Sequence, residues 1–193
     1  MFIQTEATPN PATLKFLPGK EVLVDGTADF RDAASAAEAS PLAGKLFSIH
    51  GVTGVFFGYD FVTVSKNDEL EWQHLKPAIL GAIMEHFMSG APVMAHGGQA
   101  AADRADEAEE FYDKADEEIV LTIKELLDTR VRPAVAQDGG DITFRGYENG
   151  TVFLNMKGSC AGCPSSTATL KHGIQNLLRH FVPEVQQVEQ VAA

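Results

Sequence analysis

The sequence predicts an α+β protein: two small mixed domains joined by an acidic linker, the second with the order α-β-β-α-β. Three observations predict it. Apolar runs at helical spacing alternate with short β-branched and aromatic runs bounded by turn residues. Two strand pairs carry hairpin signals, Gly58-Tyr59-Asp60 and Glu148-Asn149-Gly150. Between the halves the chain turns small and then acidic, from Ser89-Gly90-Ala91-Pro92 through His96-Gly97-Gly98-Gln99 to Glu118.

In the first half, residues 2–5 and 13–17 read as strands. Thr8-Pro9-Asn10-Pro11 separates them, and its prolines rule out a continuing ladder. Ser40-Pro41 signals a cap and first helical position for a short helix through Ile49, with Gly51 as its stop. Residues 52–57 and 61–65 flank the three-residue loop Gly58-Tyr59-Asp60. Trp72, Leu75, Ile79, Ile83 and Phe87 then recur at helical spacing and end near Gly90. Residues 1–90 form the first domain. His50, His74 and His86 stand apart, with no Cys or paired carboxylate beside them, and read as surface or packing residues. Phe56, Phe57 and Phe61 read as core.

Residues 91–115 read as a flexible acidic linker, with helix setting in around residues 105–116. In the second domain, residues 116–193, a helical stripe runs through Ile119, Ile123, Leu126, Leu127, Val131 and Val135. Pro133 interrupts it, so the helix is expected to kink or tighten before Asp138-Gly139-Gly140-Asp141. Residues 142–147 and 151–157 are strands joined through the Asn-Gly turn. A helix carrying Leu170, Ile174, Leu177, Leu178 and Phe181 follows, then a last extended segment over residues 184–191. The Asp-Gly-Gly-Asp stretch fits helix termination, loop support or a partner-facing role.

The net charge of −12 is unevenly spread. Residues 1–102 carry 11 acids and 6 bases, residues 103–118 carry 9 and 2, and residues 119–193 carry 7 of each. No segment has the basic excess that phosphate backbones require, so nucleic acid is not expected as a partner. The neutral last segment can approach a copy of itself without net repulsion. No 18-residue apolar run predicts a membrane span. The first residues carry neither a secretory nor a transit signature, so a reducing cytoplasm or its organellar equivalent is expected.

Two cysteines stand in 193 residues, both within Gly158-Ser159-Cys160-Ala161-Gly162-Cys163-Pro164-Ser165-Ser166. Proline favours the first helical position, which makes Cys163 the expected cap of the next helix. A thiol there meets unpaired N–H groups and the positive helix end, which stabilise its thiolate. The pair is therefore expected on an exposed loop with lowered thiol pKa. A structural disulfide would close only a tiny loop. A dithiol redox pair needs just these two sulfurs. Zinc and iron–sulfur sites both want four ligands, so each demands a second chain or an external thiol. Gly158 and Gly162 read equally as turn glycines and as sites of close backbone approach.

These residues resemble the Nfu family of iron–sulfur scaffold and carrier proteins, with a NifU-like C-terminal domain. The likeness rests on Ile-Lys-Glu-Leu-Leu-Asp-Thr-Arg at 123–130, Arg132-Pro133, Asp138-Gly139-Gly140-Asp141, the cysteine string and Pro183-Glu184-Val185. Upstream it rests on Phe2-Ile3-Gln4-Thr5, Thr8-Pro9-Asn10-Pro11, Leu14-Lys15-Phe16 and Gly54-Val55-Phe56-Phe57-Gly58, a pattern similar to mitochondrial and alphaproteobacterial-type members. The resemblance implies a carrier rather than an enzyme. It implies a [4Fe-4S] cluster, with a [2Fe-2S] form left open, held by Cys160 and Cys163 of each of two chains. It implies a homodimer on cluster binding, with apo iron–sulfur proteins and upstream assembly proteins as partners. The compartment expected from the resemblance is bacterial cytoplasm, or the mitochondrial matrix for a eukaryotic chain.

Overall fold

A computed structural model describes residues 1–95, 110–161 and 164–191. The chain divides into two compact units, Met1–Asp106 and Glu107–Ala193, each with its own hydrophobic core. The fold is α+β, as the sequence predicts.

The first unit is a five-stranded antiparallel sheet in the order β1-β2-β5-β4-β3. Its strands are β1 (Gln4–Ala7), β2 (Thr13–Leu17), β3 (Ala28–Phe30), β4 (Val52–Phe57) and β5 (Val62–Lys66). The first strand lies two residues later than its apolar start suggests. Register with β2 sets its position, pairing Gln4 with Leu17, and leaves Phe2 84% exposed.

Helices α1 (Ala33–Ala39), α2 (Pro41–Phe47) and α3 (Trp72–Ser89) accompany this sheet. The sequence pattern missed β3 and α1, a three-residue strand and an alanine-rich helix with no apolar stripe. Asp32 caps α1, accepting the Ser35 N–H at 2.8 Å. Ser40 both ends α1 and caps α2 through the Ala43 N–H. The hairpin loop is four residues, since Phe57 pairs with Val62 and the Phe61 ring folds back over Gly58. A Cβ on Gly58 would stand 2.3 Å from that ring. Phe56, Phe57 and Phe61 are all buried, and so is His86; His50 and His74 are exposed.

The described ends of the expected linker are packed rather than free. Val93 and Met94 lie on the first core, and the Ser40 hydroxyl donates to the Val93 carbonyl. Among the described residues 110–113 there is no helix before the 3-10 turn at Lys114–Asp116, and Phe111 there makes a β-bridge to Gly146. Residues 96–109, where the rest of that expectation falls, lie outside the described residues.

The second unit stacks α4 (Glu117–Leu126), α5 (Arg132–Gln137) and α6 (Pro164–Phe181) on the sheet β6-β7-β8. Its strands are β6 (Gly140–Glu148), β7 (Thr151–Gly158) and β8 (Gln187–Gln190). Between α4 and α5 the chain makes a π-helical turn, Leu127–Val131, so the stripe is interrupted by a wider turn where a kink or tightening was expected. Pro133 has no N–H and its ring crowds the carbonyl four residues back, and a wider turn relieves both. Asn149 (φ 50°) and Gly150 (φ 81°) make the two-residue turn between β6 and β7. Strand β8 then adds to β7 in parallel, through the crossover helix α6.

Candidate metal centre

The β6–β7 ladder ends at the pair Gly140 and Gly158. Register alone therefore sets the Asp-Gly-Gly-Asp stretch beside Gly158-Ser159-Cys160. Gly158, at φ 63°, begins a tight turn in which the Ala161 N–H donates to its carbonyl at 3.1 Å. This is turn geometry that glycine adopts without strain. Gly139, at φ 83°, ends α5 in the same way, with its N–H on the Ala136 carbonyl.

Ser159 ties the two stretches together. Its N–H donates to the Gly139 carbonyl at 3.2 Å, and its hydroxyl donates to the Asp138 carbonyl. From the other side the Thr167 hydroxyl, in the first turn of α6, donates to the Cys160 carbonyl at 3.0 Å. Cys160 is thus held between the end of the hairpin and the start of α6.

The Cys160 side chain is only 6% exposed and belongs to the core of the unit. Gly140 makes room for it. A Cβ added there would lie 2.6 Å from the Cys160 Sγ and 2.7 Å from the Lys157 carbonyl oxygen. Helix termination needs only Gly139; the second glycine is the seat of the thiol. The expectation of an exposed thiol with lowered pKa is corrected for Cys160. Burial pushes the thiol up to about 12, and the negative charges of Asp138 and Asp141 act in the same direction, against a hydrogen bond from Ser159. Cys163 and Gly162 lie outside the described residues, and with them the expected cap. Helix α6 does begin at Pro164.

Asp141 is buried beside this seat. Arg132 grips its carboxylate with Nε and Nη2, each at 2.9 Å, and reaches Asp128 with Nη1 at 3.1 Å. Asp141 also accepts the Ile142 N–H at 2.8 Å. The pair anchors the start of α5 to the start of β6 and so fixes the turn carrying Gly139 and Gly140. Nothing in the spacing announced this pair. The one sequence signal for the seat was a second glycine where one would stop a helix. Among the described residues, no group of three or more His, Cys, Asp or Glu side chains is placed to hold a metal ion.

Residues 3–90 match the family described as scaffold protein Nfu/NifU N terminal, and residues 123–189 match the NifU-like domain. The chain is 55% identical over 192 residues to the Drosophila erecta protein named NFU1 iron-sulfur cluster scaffold homolog, mitochondrial. The Drosophila yakuba protein of the same name gives the same figures.

The chain belongs to the Nfu/NifU-like family.

Each of these matches covers 99% of the chain, which spans about 65% of the length of those Nfu relatives. A solution NMR structure of a NifU-like protein from Saccharomyces cerevisiae is 26% identical, covering 49% of this chain and 85% of that one, with a TM-score of 0.45. The Nfu N-terminal match falls within the first unit and the NifU-like match within the second. The Asp-Gly-Gly-Asp stretch, Arg132 and both cysteines fall inside the NifU-like match; Phe111 falls outside it.

Proposed function

We propose that this Nfu-family chain is an iron–sulfur cluster scaffold and carrier. Two chains hold one [4Fe-4S] cluster through Cys160 and Cys163 of each and pass it to apo-proteins. The observation that carries this reading is the thiol supply. One chain has two cysteines, separated by two residues at a strand-to-helix junction, and among its described residues no group of three or more His, Cys, Asp or Glu side chains is placed to hold a metal ion. Four-thiolate ligation then requires a second copy. Four thiolates equally suit a [2Fe-2S] form. The names of the relatives support the scaffold role and, of the two compartments, the mitochondrial one.

Sharing the ligands gives the carrier its physics. A cluster bridging two chains is lost when they part, so cluster binding and dimerisation strengthen each other. The cluster is cargo: thiolates trade places and it leaves unchanged, which is not catalysis. An acceptor whose cysteines displace some thiolates leaves too few contacts to retain it. Burial of Cys160 suits storage of an idle thiol. The proton it keeps is released when the cluster binds, which couples loading to pH. An attacking redox thiol needs the opposite, exposure and a low pKa.

Transfer is the test. Loaded protein should activate an apo-protein with preorganised cysteines faster than free iron and sulfide do, even with a chelator present to capture released iron. If the chelator eliminates activation, the cluster is being dissolved and rebuilt, and direct transfer is wrong.

A further inference from the structure

Threonine has one hydroxyl proton, and within a helix it commonly goes to the carbonyl four residues back. In the second unit Thr122 donates to the Glu118 carbonyl at 2.9 Å, Thr129 to Glu125 at 2.7 Å and Thr169 to Ser165 at 3.1 Å. Thr167 departs from that pattern. Its hydroxyl donates seven residues back, to the Cys160 carbonyl at 3.0 Å. The bond leaves the helix and fastens the turn before it.

That turn carries the first of the two cysteines. On its other side Ser159 is bonded to the Gly139 carbonyl through its N–H and to the Asp138 carbonyl through its hydroxyl. Helix α6 is a firm anchor for the Thr167 bond, since Ile174 and Leu178 are buried in the core of the unit. Along the chain Cys163 is joined directly to Pro164, the first residue of α6. The Thr167 bond therefore relates Cys160 to the helix that Cys163 leads into. The main chain of Cys160 is held from both sides while its side chain lies in the core.

We propose that Thr167 is a positioning residue for cluster ligation: by pinning the Cys160 carbonyl to the first turn of α6, it sets the span between the two cysteines before the cluster arrives. The inference rests on the carrier reading and assigns a further residue to that same site. With its main chain pinned, Cys160 reaches a cluster by turning its side chain out of the core, and the turn itself stays in place. Order present beforehand is not lost as entropy at binding. Without the pin the turn must be ordered when the cluster binds, and the thiol leaves its seat more often. Losing the hydroxyl therefore has two effects, a more accessible thiol in the empty chain and a weaker hold on the cluster. A lock that merely stored the thiol would act the other way on the cluster. Its removal would destabilise only the empty state and so strengthen the hold.

The test compares the full chain with Thr167→Val, which keeps the branched shape without the hydroxyl, and with Thr167→Ser, which keeps the hydroxyl. In the empty chain, iodoacetamide labelling of Cys160 is resolved by peptide mass, without urea and with urea below the unfolding transition. Thr167→Val should label about fivefold faster, the weight of one hydrogen bond. The increase should not depend on urea, because a local opening exposes little surface. After anaerobic reconstitution, Thr167→Val should lose its cluster to a chelator about tenfold faster, the size of effect that supporting groups have. Thr167→Ser should match the unaltered chain in both assays. So should Thr169→Val, whose hydroxyl serves its own helix. An unaltered chain that takes up no cluster would overturn the carrier reading, and the role of Thr167 with it. If the unaltered chain loads, unchanged labelling in Thr167→Val would overturn the positioning role alone. Cluster loss no faster than in the unaltered chain would do the same, as would an equal effect of Thr169→Val, which would mean helix stability.

Discussion

Gly140 and Cys160 are packed so tightly that a methyl group on Gly140 would stand 2.6 Å from the Cys160 sulfur. The contact joins the two glycine-containing motifs of the second unit into one device. The Asp-Gly-Gly-Asp turn is the floor on which the thiol rests. Cluster loading is therefore expected to depend on a residue with no ligand atom.

Gly140→Ala is the sharpest test of that floor. The added methyl must push out the thiol or the Lys157 carbonyl, at a cost of about 1–3 kcal/mol from overpacking. The variant should keep its far-UV circular dichroism yet bind cluster about 10-fold more weakly, as supporting-shell changes do. Reconstitution followed by absorption measures both. Loading equal to that of the unaltered chain would show that the seat has no bearing on the site.

Arg132→Gln should destabilise the second unit by about 2–3 kcal/mol. Breaking a buried ion pair strands a charge, here Asp141, and the cost is discounted because the Arg132 side chain keeps 37% of its exposure. Adding Asp141→Asn should recover part of that loss, since no stranded carboxylate remains. Urea unfolding of the four proteins of the cycle measures the coupling.

Without cluster, Cys160 should behave as a protonated thiol well above neutral pH. An ordinary thiol gains reactivity through about pH 8.5, whereas Cys160 is pushed up to about 12. Iodoacetamide labelling resolved by peptide mass should therefore stay slow at Cys160 at pH 9. Between about pH 9 and 12 the unfolded chain loses a proton that the native chain keeps. Stability should fall with rising pH across that window, and Cys160→Ala should reduce the slope without abolishing it, since the raised pKa of Tyr147 acts in the same direction.

His86 sets an acid limit on the first unit. Its ring is buried, and neither nitrogen has a hydrogen-bond partner among the described residues. Burial, and secondarily the charge of Lys45, hold its pKa below the usual 6.5. As pH drops through about 6.5 the unfolded ring takes a proton that the native ring declines, so stability falls. His86→Leu should flatten the acid side of the first unit's stability profile, measured by urea unfolding at several pH values.

Much of the fold was legible because its signals are local. Asn149-Gly150 needs two positive φ angles, and the Trp72 to Phe87 stripe needs only helical spacing. The segment Ala28–Ala39 was not legible, because a three-residue strand and an alanine-rich helix have no period to read. Of the site, the cysteine string and the helix start at Pro164 stood out. The depth of Cys160 did not, because it depends on a glycine brought alongside by ladder register. Phe111 in the acidic segment was passed over for a related reason. Its partner is the edge of a strand more than 30 residues later, and composition says nothing about pairing.

The central claim is that two chains share one cluster. Native mass spectrometry of the anaerobically reconstituted full chain, with iron and sulfide assayed on the same sample, tests it most directly. The account predicts a dimer carrying about four iron and four sulfide per two chains, following four-thiolate ligation. Replacing either Cys160 or Cys163 with Ser should abolish that species while the chain stays folded. A complete cluster on a monomer with no added thiol would contradict the account.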